Sequence, residues 1–162
     1  MMLLVCTTSH VDAAEDVTTR ALTIEAVTRV THLSSSGANL YVAVRNNSRH
    51  ALVIKRGEVD IMVGGSLKST ISLREKVIIP KGYVGEVLLP LRFRSTSTLT
   101  LHSILRRITE GDSDNIAITY HLRGGTRLIR RSFRGEDIAI SEIFDMFAIP
   151  KSAILRAEEL FR

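Results

Sequence analysis

The chain has 162 residues, 44% hydrophobic and 24% charged, with a net charge of +5 from 22 basic and 17 acidic side chains. These proportions fit one folded globular domain and exclude disorder on compositional grounds. With no tryptophan and only 5% aromatic residues, the core must be Val, Ile and Leu, which pack well on a pleated sheet. Cys6 is the only cysteine and His10, His32, His50, His102 and His121 are scattered. An internal disulfide is therefore excluded, and neither a metal site nor a cofactor is expected.

The first fourteen residues are an apolar run followed by small and polar ones. Val11-Asp12-Ala13 before Ala14 satisfies the small-residue cleavage rule of a secretory signal, although no basic residue precedes Arg20. Residues 1–19 therefore read as the downstream part of a signal plus a tether, and a start site placed too far downstream would explain the missing basic region. A second reading is a lipoprotein signal ending Leu3-Leu4-Val5-Cys6, with Cys6 acylated; a third is a frayed N-terminus with a buried Met/Leu tip, which would leave the protein in the cytoplasm. No stretch approaches the roughly 20 apolar residues of a membrane span.

Short β-branched segments then follow about every ten residues, the spacing of a sandwich or barrel. The first strand is predicted over Ala21–Leu33, with a bulge near Ala26–Val27 where the alternation changes phase. Ser34-Ser35-Ser36-Gly37 is a turn. Ala38–Arg45 alternates Leu40, Val42 and Val44 against Tyr41, Ala43 and Arg45, and Asn46-Asn47 opens the next turn. Ala51–Arg56 and Glu58–Val63 read as two strands, with Gly57 ending or bulging the first. A short run over Ser66–Ser72 and strands at Lys76–Ile79 and Gly85–Phe93 follow, the last two joined by Pro80-Lys81-Gly82-Tyr83.

At Leu101, Ile104, Leu105 and Ile108 the period becomes helical. Leu99 is a candidate start of that stripe, Ser95 or Ser97 can cap the helix, and Arg106 and Arg107 suit its C-terminal dipole. A hairpin of Asn115–Arg123 and Arg127–Phe133 is predicted to turn at Gly124-Gly125-Thr126. Beyond Ser141 the pattern is helical, with Phe144, Phe147, Ile149, Ile154, Leu155 and Phe161 apolar. This tail is expected to cap the open end of the sandwich, since bare apolar stripes are rarely tolerated on monomers.

The succession Val42-Ala43-Val44-Arg45-Asn46-Asn47, Gly64-Gly65, Ile78-Ile79-Pro80-Lys81-Gly82 and Val87-Leu88-Leu89-Pro90-Leu91, then one helix and a Tyr120-containing hairpin, resembles the late-embryogenesis-abundant group 2 family (LEA type 2, or WHy domain). The resemblance covers roughly Leu22 to Ile140. It implies a mainly β, immunoglobulin-like antiparallel β-sandwich with one helix between the later strands, and a non-enzymatic role at the cell envelope or in the periplasm. The chain then divides into residues 1–19, a LEA type 2-like domain over 20–140, and a helical C-terminal extension over 141–162.

The densest charge cluster is the hairpin with Arg123, Arg127, Arg130, Arg131 and Arg134. Arg127 and Arg131, four apart in a strand, share a face and make, with Arg123, a candidate site for an anionic lipid or glycan; the alternative is an edge protected by charge. Nucleic acid is disfavoured because Tyr120 and Phe133 are the only stacking platforms there. Ser34, Ser35, Ser36, Ser66 and Ser69 lack a nucleophile setting, and Asp112 and Asp114 lack a calcium-loop pattern, so no catalytic or metal residue is assigned. Leu40–Leu91 reads as scaffold, and an unidentified protein or an anionic envelope component is the expected partner. An enzyme is the least favoured reading.

Overall fold

The computed structural model describes residues 21–94, 98–146 and 149–160. The expectations for the signal-like segment, Cys6, the caps Ser95 and Ser97, Phe147 and Phe161 lie outside the described residues.

The architecture is mainly β. Strands β1 (Leu22–Ser34), β2 (Gly37–Asn46), β3 (Leu52–Val63), β4 (Ser66–Leu73), β5 (Val77–Ile79) and β6 (Val84–Arg94) precede helix α1 (Thr98–Thr109). Strands β7 (Ile116–Gly125) and β8 (Arg130–Ala139) follow, then α2 (Ile140–Met146) and α3 (Lys151–Leu160). All eight strands form one antiparallel sheet in the order β1-β2-β6-β4-β3-β7-β8, with β5 attached to β3 outside that path.

The sheet curls. Ala38 of β2 shares a buried cluster with Ile116 and Tyr120 of β7, four strands away along the sheet. A flat sheet would hold them roughly 19 Å apart at about 4.8 Å per strand. Leu101 and Ile104 of α1 complete this cluster, with Leu105 and Ile108 half-buried against it. The predicted stripe is therefore the packed face, but Leu99 is 80% exposed and does not belong to it. A second cluster at the other end joins Val42, Val44 and Val87 to Val77 and Ile79, with Leu52 and Ile54 against them.

Two local expectations are corrected. β3 is one strand, not two: Gly57 sits inside it, paired with Leu122, and the extra residue is Lys55. A Cβ at Gly57 would come within 3.2 Å of Leu122 Cδ2 and 3.3 Å of Leu73 Cδ1, so glycine marks a close approach here rather than a strand end. β1 shifts register against β2 three times rather than once: Glu25 and Thr28 are each left over, and a further irregularity lies between Thr31 and Ser34.

The turn after β2 is organised by a buried polar side chain. Asn46, 2% exposed, donates from Nδ2 to the carbonyls of His50, Ile79 and Pro80 at 3.0, 3.2 and 2.9 Å. Its Oδ1 accepts from the Ser48 amide at 3.0 Å and hydroxyl at 2.7 Å. Burying an amide is tolerable only when its hydrogen bonds are remade; here they clamp the end of β5 to the end of β2. The tail helix α3 packs on β1 and α1. It buries Ala153 and Glu158, while Leu155 is 43% exposed, so Leu155 is not on the inner face. His102 Nε2 lies 3.4 Å from Glu158 Oε1 across the α1–α3 contact.

Candidate functional site

The arginine hairpin does not assemble the expected trio. Gly124 and Gly125 belong to the ladder, opposite Arg131 and Arg130, and the loop is Thr126–Ile129, closed by Thr126 N–H to the Ile129 carbonyl at 2.9 Å. Cβ atoms at these glycines would strike the carbonyls of Val53 and Ile129, which is why glycine stands in a strand. Arg127 consequently lies in the loop. Arg123 pairs with Ser132, and Arg131 with Gly124, so Arg123 and Arg131 hold positions on opposite faces.

The register builds a different polar surface. Arg92, Ser72, Glu58, His121 and Arg134 lie in one row across β6, β4, β3, β7 and β8. Arg94 donates to Glu58 Oε2 at 2.9 Å, and Thr70 Oγ1 to Asp60 Oδ1 at 2.5 Å. Glu58, Asp60, Thr119, Tyr120, His121, Arg134 and Glu136 line a shallow concavity of about 320 Å³. Both signs of charge interleave, so it carries no simple anion selectivity. Arg107 is engaged by Asp112 Oδ2 at 3.0 Å and Asn115 Oδ1 at 2.6 Å, which gives the acidic loop a structural use.

A further concavity lies elsewhere, inside the stretch that reads as scaffold. Strand β4 pairs with β6 only over Leu91–Arg94. The chain then leaves β6 and joins β3 as β5, occupying the same edge of β3 that β4 uses. The departure leaves the first half of β6 without a strand on that side, among the described residues. Between β5 and β6 lies a slit of about 410 Å³, its lining including Val77, Ile78, Tyr83, Val87, Leu88 and Pro90.

Backbone direction along β6 follows from three hydrogen bonds. Asn46 N–H reaches the Tyr83 carbonyl at 2.8 Å and Phe93 N–H the Ser36 carbonyl at 2.9 Å, whereas Arg74 N–H reaches the Pro90 carbonyl at 2.8 Å. Odd-numbered residues thus bond toward β2 and even-numbered ones toward the slit, since the pattern alternates along a strand. Pro90 obeys this rule: lacking an N–H, it sits where β4 has ended. Val84, Glu86 and Leu88 therefore aim their backbone groups to that side, where Glu86 and Leu88 line the slit. Of these, the Glu86 carbonyl is taken by Tyr83 Oη at 2.7 Å.

The Glu86 side chain is held away from this edge. It accepts from Thr28 Oγ1 at 2.5 Å and from Arg29 Nη2 at 2.8 Å, and the Arg29 guanidinium lies 3.8 Å from the Tyr41 ring centroid. The Thr28 hydroxyl first, then Arg29, holds the Glu86 carboxyl below its ordinary range; Glu86 in turn raises Arg29. The bulge residue Thr28 is thus what brings β1 across β2 to β6. None of this was visible as a motif, because it depends on which strands are neighbours.

Among the described residues no group of three or more His, Cys, Asp or Glu is placed to hold a metal ion, and no helix is long and apolar enough to cross a membrane. No family model and no curated protein matches the chain. Among solved structures, a protein from Archaeoglobus fulgidus is similar over 70% of this chain and 98% of its own, with 13% identity and a TM-score of 0.40; this likeness carries no argument about function.

Proposed function

We propose that the protein is a non-catalytic, exported or envelope-associated binding module whose partner engages the slit between β5 and β6. The observation that supports this reading is the combination of a slit lined largely by apolar residues with a half-strand beside it that pairs with no strand on that side among the described residues. Sheet edges left in this state are rare in proteins that do not use them. The export part rests on the signal-like sequence before Ala14.

Selecting a displayed peptide library against the wild type and against Leu88→Arg tests the binding part. Sequences enriched only on the wild type are expected, and identical enrichment on both proteins would remove the slit from consideration. Cell fractionation tests the export part, which fails if the protein stays in the cytoplasm with Met1 in place.

A second reading, an anionic lipid- or glycan-binding module, draws support from the arginines ranged over the outer sheet face, Arg92, Arg94 and Arg134 among them. It predicts salt-sensitive binding to vesicles of anionic phospholipid that weakens on changing Arg92 and Arg134 to Glu.

A further inference from the structure

We infer that the occupant of the slit is an extended peptide segment of a partner protein, added as a strand to Val84–Leu88, with aliphatic side chains at alternate positions and acidic residues flanking them. The inference rests on the slit being the binding site, and goes beyond it by naming the chemistry of what binds.

The shape of the occupant follows from the backbone. Along Val84, Glu86 and Leu88 the slit-facing groups recur every second residue, about 6.8 Å apart. Only another extended backbone presents acceptors and donors at that interval. The five residues span about 17 Å, which suits a segment of five to seven residues. Its apolar character follows from the side chains it would cover. Ile78, Val84 and Leu88 are 54%, 58% and 41% exposed, above a floor of buried Val77, Val87 and Pro90.

The sheet's other margins are defended against strand addition. β8 carries Arg130, Arg131, Arg134, Glu136 and Asp137. β1 is broken by three register shifts against β2 and packed against α3. Between Val84 and Pro90 the only charge is Glu86, already occupied by Thr28 and Arg29.

Charge then discriminates between partners. The slit is lined by Lys76 and Glu75, the Glu86 carboxylate being paired with Arg29, and exposed Arg74 and Lys81 bracket the lining run Glu75–Pro80 in the chain, Arg74 reaching Asn39 Oδ1 at 2.6 Å. A second copy of this chain is disfavoured: an antiparallel twofold pairing centred on Glu86 would set two carboxylates opposite each other and bring two basic rims together on chains of net charge +5. A segment with acidic flanks meets the same rim favourably.

The test uses the full chain and three synthetic nine-residue peptides: alternating Val and Thr with two Glu at each end, the same core with Lys ends, and the Glu-ended peptide N-methylated at alternate residues. The readouts are amide chemical shifts and hydrogen exchange. The Glu-ended peptide is expected to slow exchange at Glu86 and Leu88 by at least about tenfold and to bind more tightly than the Lys-ended one, and N-methylation on the protein-facing side is expected to abolish binding. Equal binding of the Lys-ended peptide would overturn the charge assignment. Binding that leaves the Glu86 and Leu88 amides unprotected, or no binding at millimolar peptide, would overturn strand addition. In those cases the library selection against Leu88→Arg still decides whether the slit binds anything. Concentration-dependent dimerisation abolished by Leu88→Arg would assign the edge to a second copy and overturn the proposal.

Discussion

Among the described residues, the β8 edge and the first half of β6 are both unpaired margins of one sheet, yet they are built in opposite ways. β8 presents three arginines and two carboxylates over ten residues, and its exposed apolar residues, Leu128 and Ile129, lie in the loop before it. The β6 margin carries Val84 and Leu88 in the open, one neutralised carboxylate, and a slit whose floor is core. Charge on an edge strand is a general device against unwanted pairing. Its presence at one margin and absence at the other suggests that the second is kept open for use. The arginine hairpin drew attention in the sequence because charge is visible there; the register sets Arg123 and Arg131 on opposite faces and Arg127 in the loop, so the expected trio does not share one face.

The largest effect that sharpens this contrast separates the floor of the slit from its rim. Ile79 is 1% exposed and Leu88 41%. Ile79→Ala should cost about 2–5 kcal/mol, because it opens a cavity in the second core cluster. Leu88→Arg should change stability by no more than about 0.5 kcal/mol, as for other surface changes, while abolishing binding. Chemical denaturation of the two variants measures both. Comparable losses would mean that Leu88 is structural and the rim is not a site.

Next in size is Asn46→Ala. It leaves the buried Ile79 carbonyl without the Asn46 donor, at about 1–3 kcal/mol for a buried group left unsatisfied, and takes one of two donors from the part-buried Pro80 carbonyl. Because these carbonyls fix the start of the slit, peptide binding should weaken together with the midpoint of unfolding. An Asn46→Asp variant keeps the acceptor for Ser48 and loses the donors, so it should behave like the alanine variant.

A third change removes the guard from the closed margin. Arg130→Val with Arg131→Val should leave unfolding within about 0.5 kcal/mol of wild type but produce association that grows with protein concentration, seen by light scattering. A protein that stays monomeric would show that the arginines of β8 serve some purpose other than protection.

The smallest effect concerns Glu86. Its carboxyl is held below its unfolded value, so its contribution is present above about pH 4.5 and lost as pH falls through the folded value. Glu86→Gln should therefore flatten the dependence of stability on pH in that acidic range by removing the small contribution at neutral pH, the two proteins converging in acid. A steeper acid dependence in the variant would contradict the assignment.

Much of the fold was legible because it is local. The alternation of Leu40, Val42 and Val44, the helical stripe from Leu101 to Ile108, and the core phase of Tyr120 each follow from periodicity, and the mainly antiparallel β architecture with one helix between the later strands is observed. Glycines misled where they mark close approach rather than turns, as at Gly57, Gly124 and Gly125. The Asn46 turn was visible, but not its clamp on carbonyls 33 and 34 residues away. The slit was invisible for a related reason. It exists because β5 abandons β6 for β3, and strand partnership is set by packing over long separations rather than by any residue in β6.

The most direct measurement is hydrogen exchange along β6 in the free protein. If the edge is open, the Glu86 and Leu88 amides exchange fast while those of Val87 and Leu89, bonded toward β2, are protected to nearly the global unfolding limit. Equal protection at all four positions would mean that the β6 edge is already closed, and would contradict its assignment as the site.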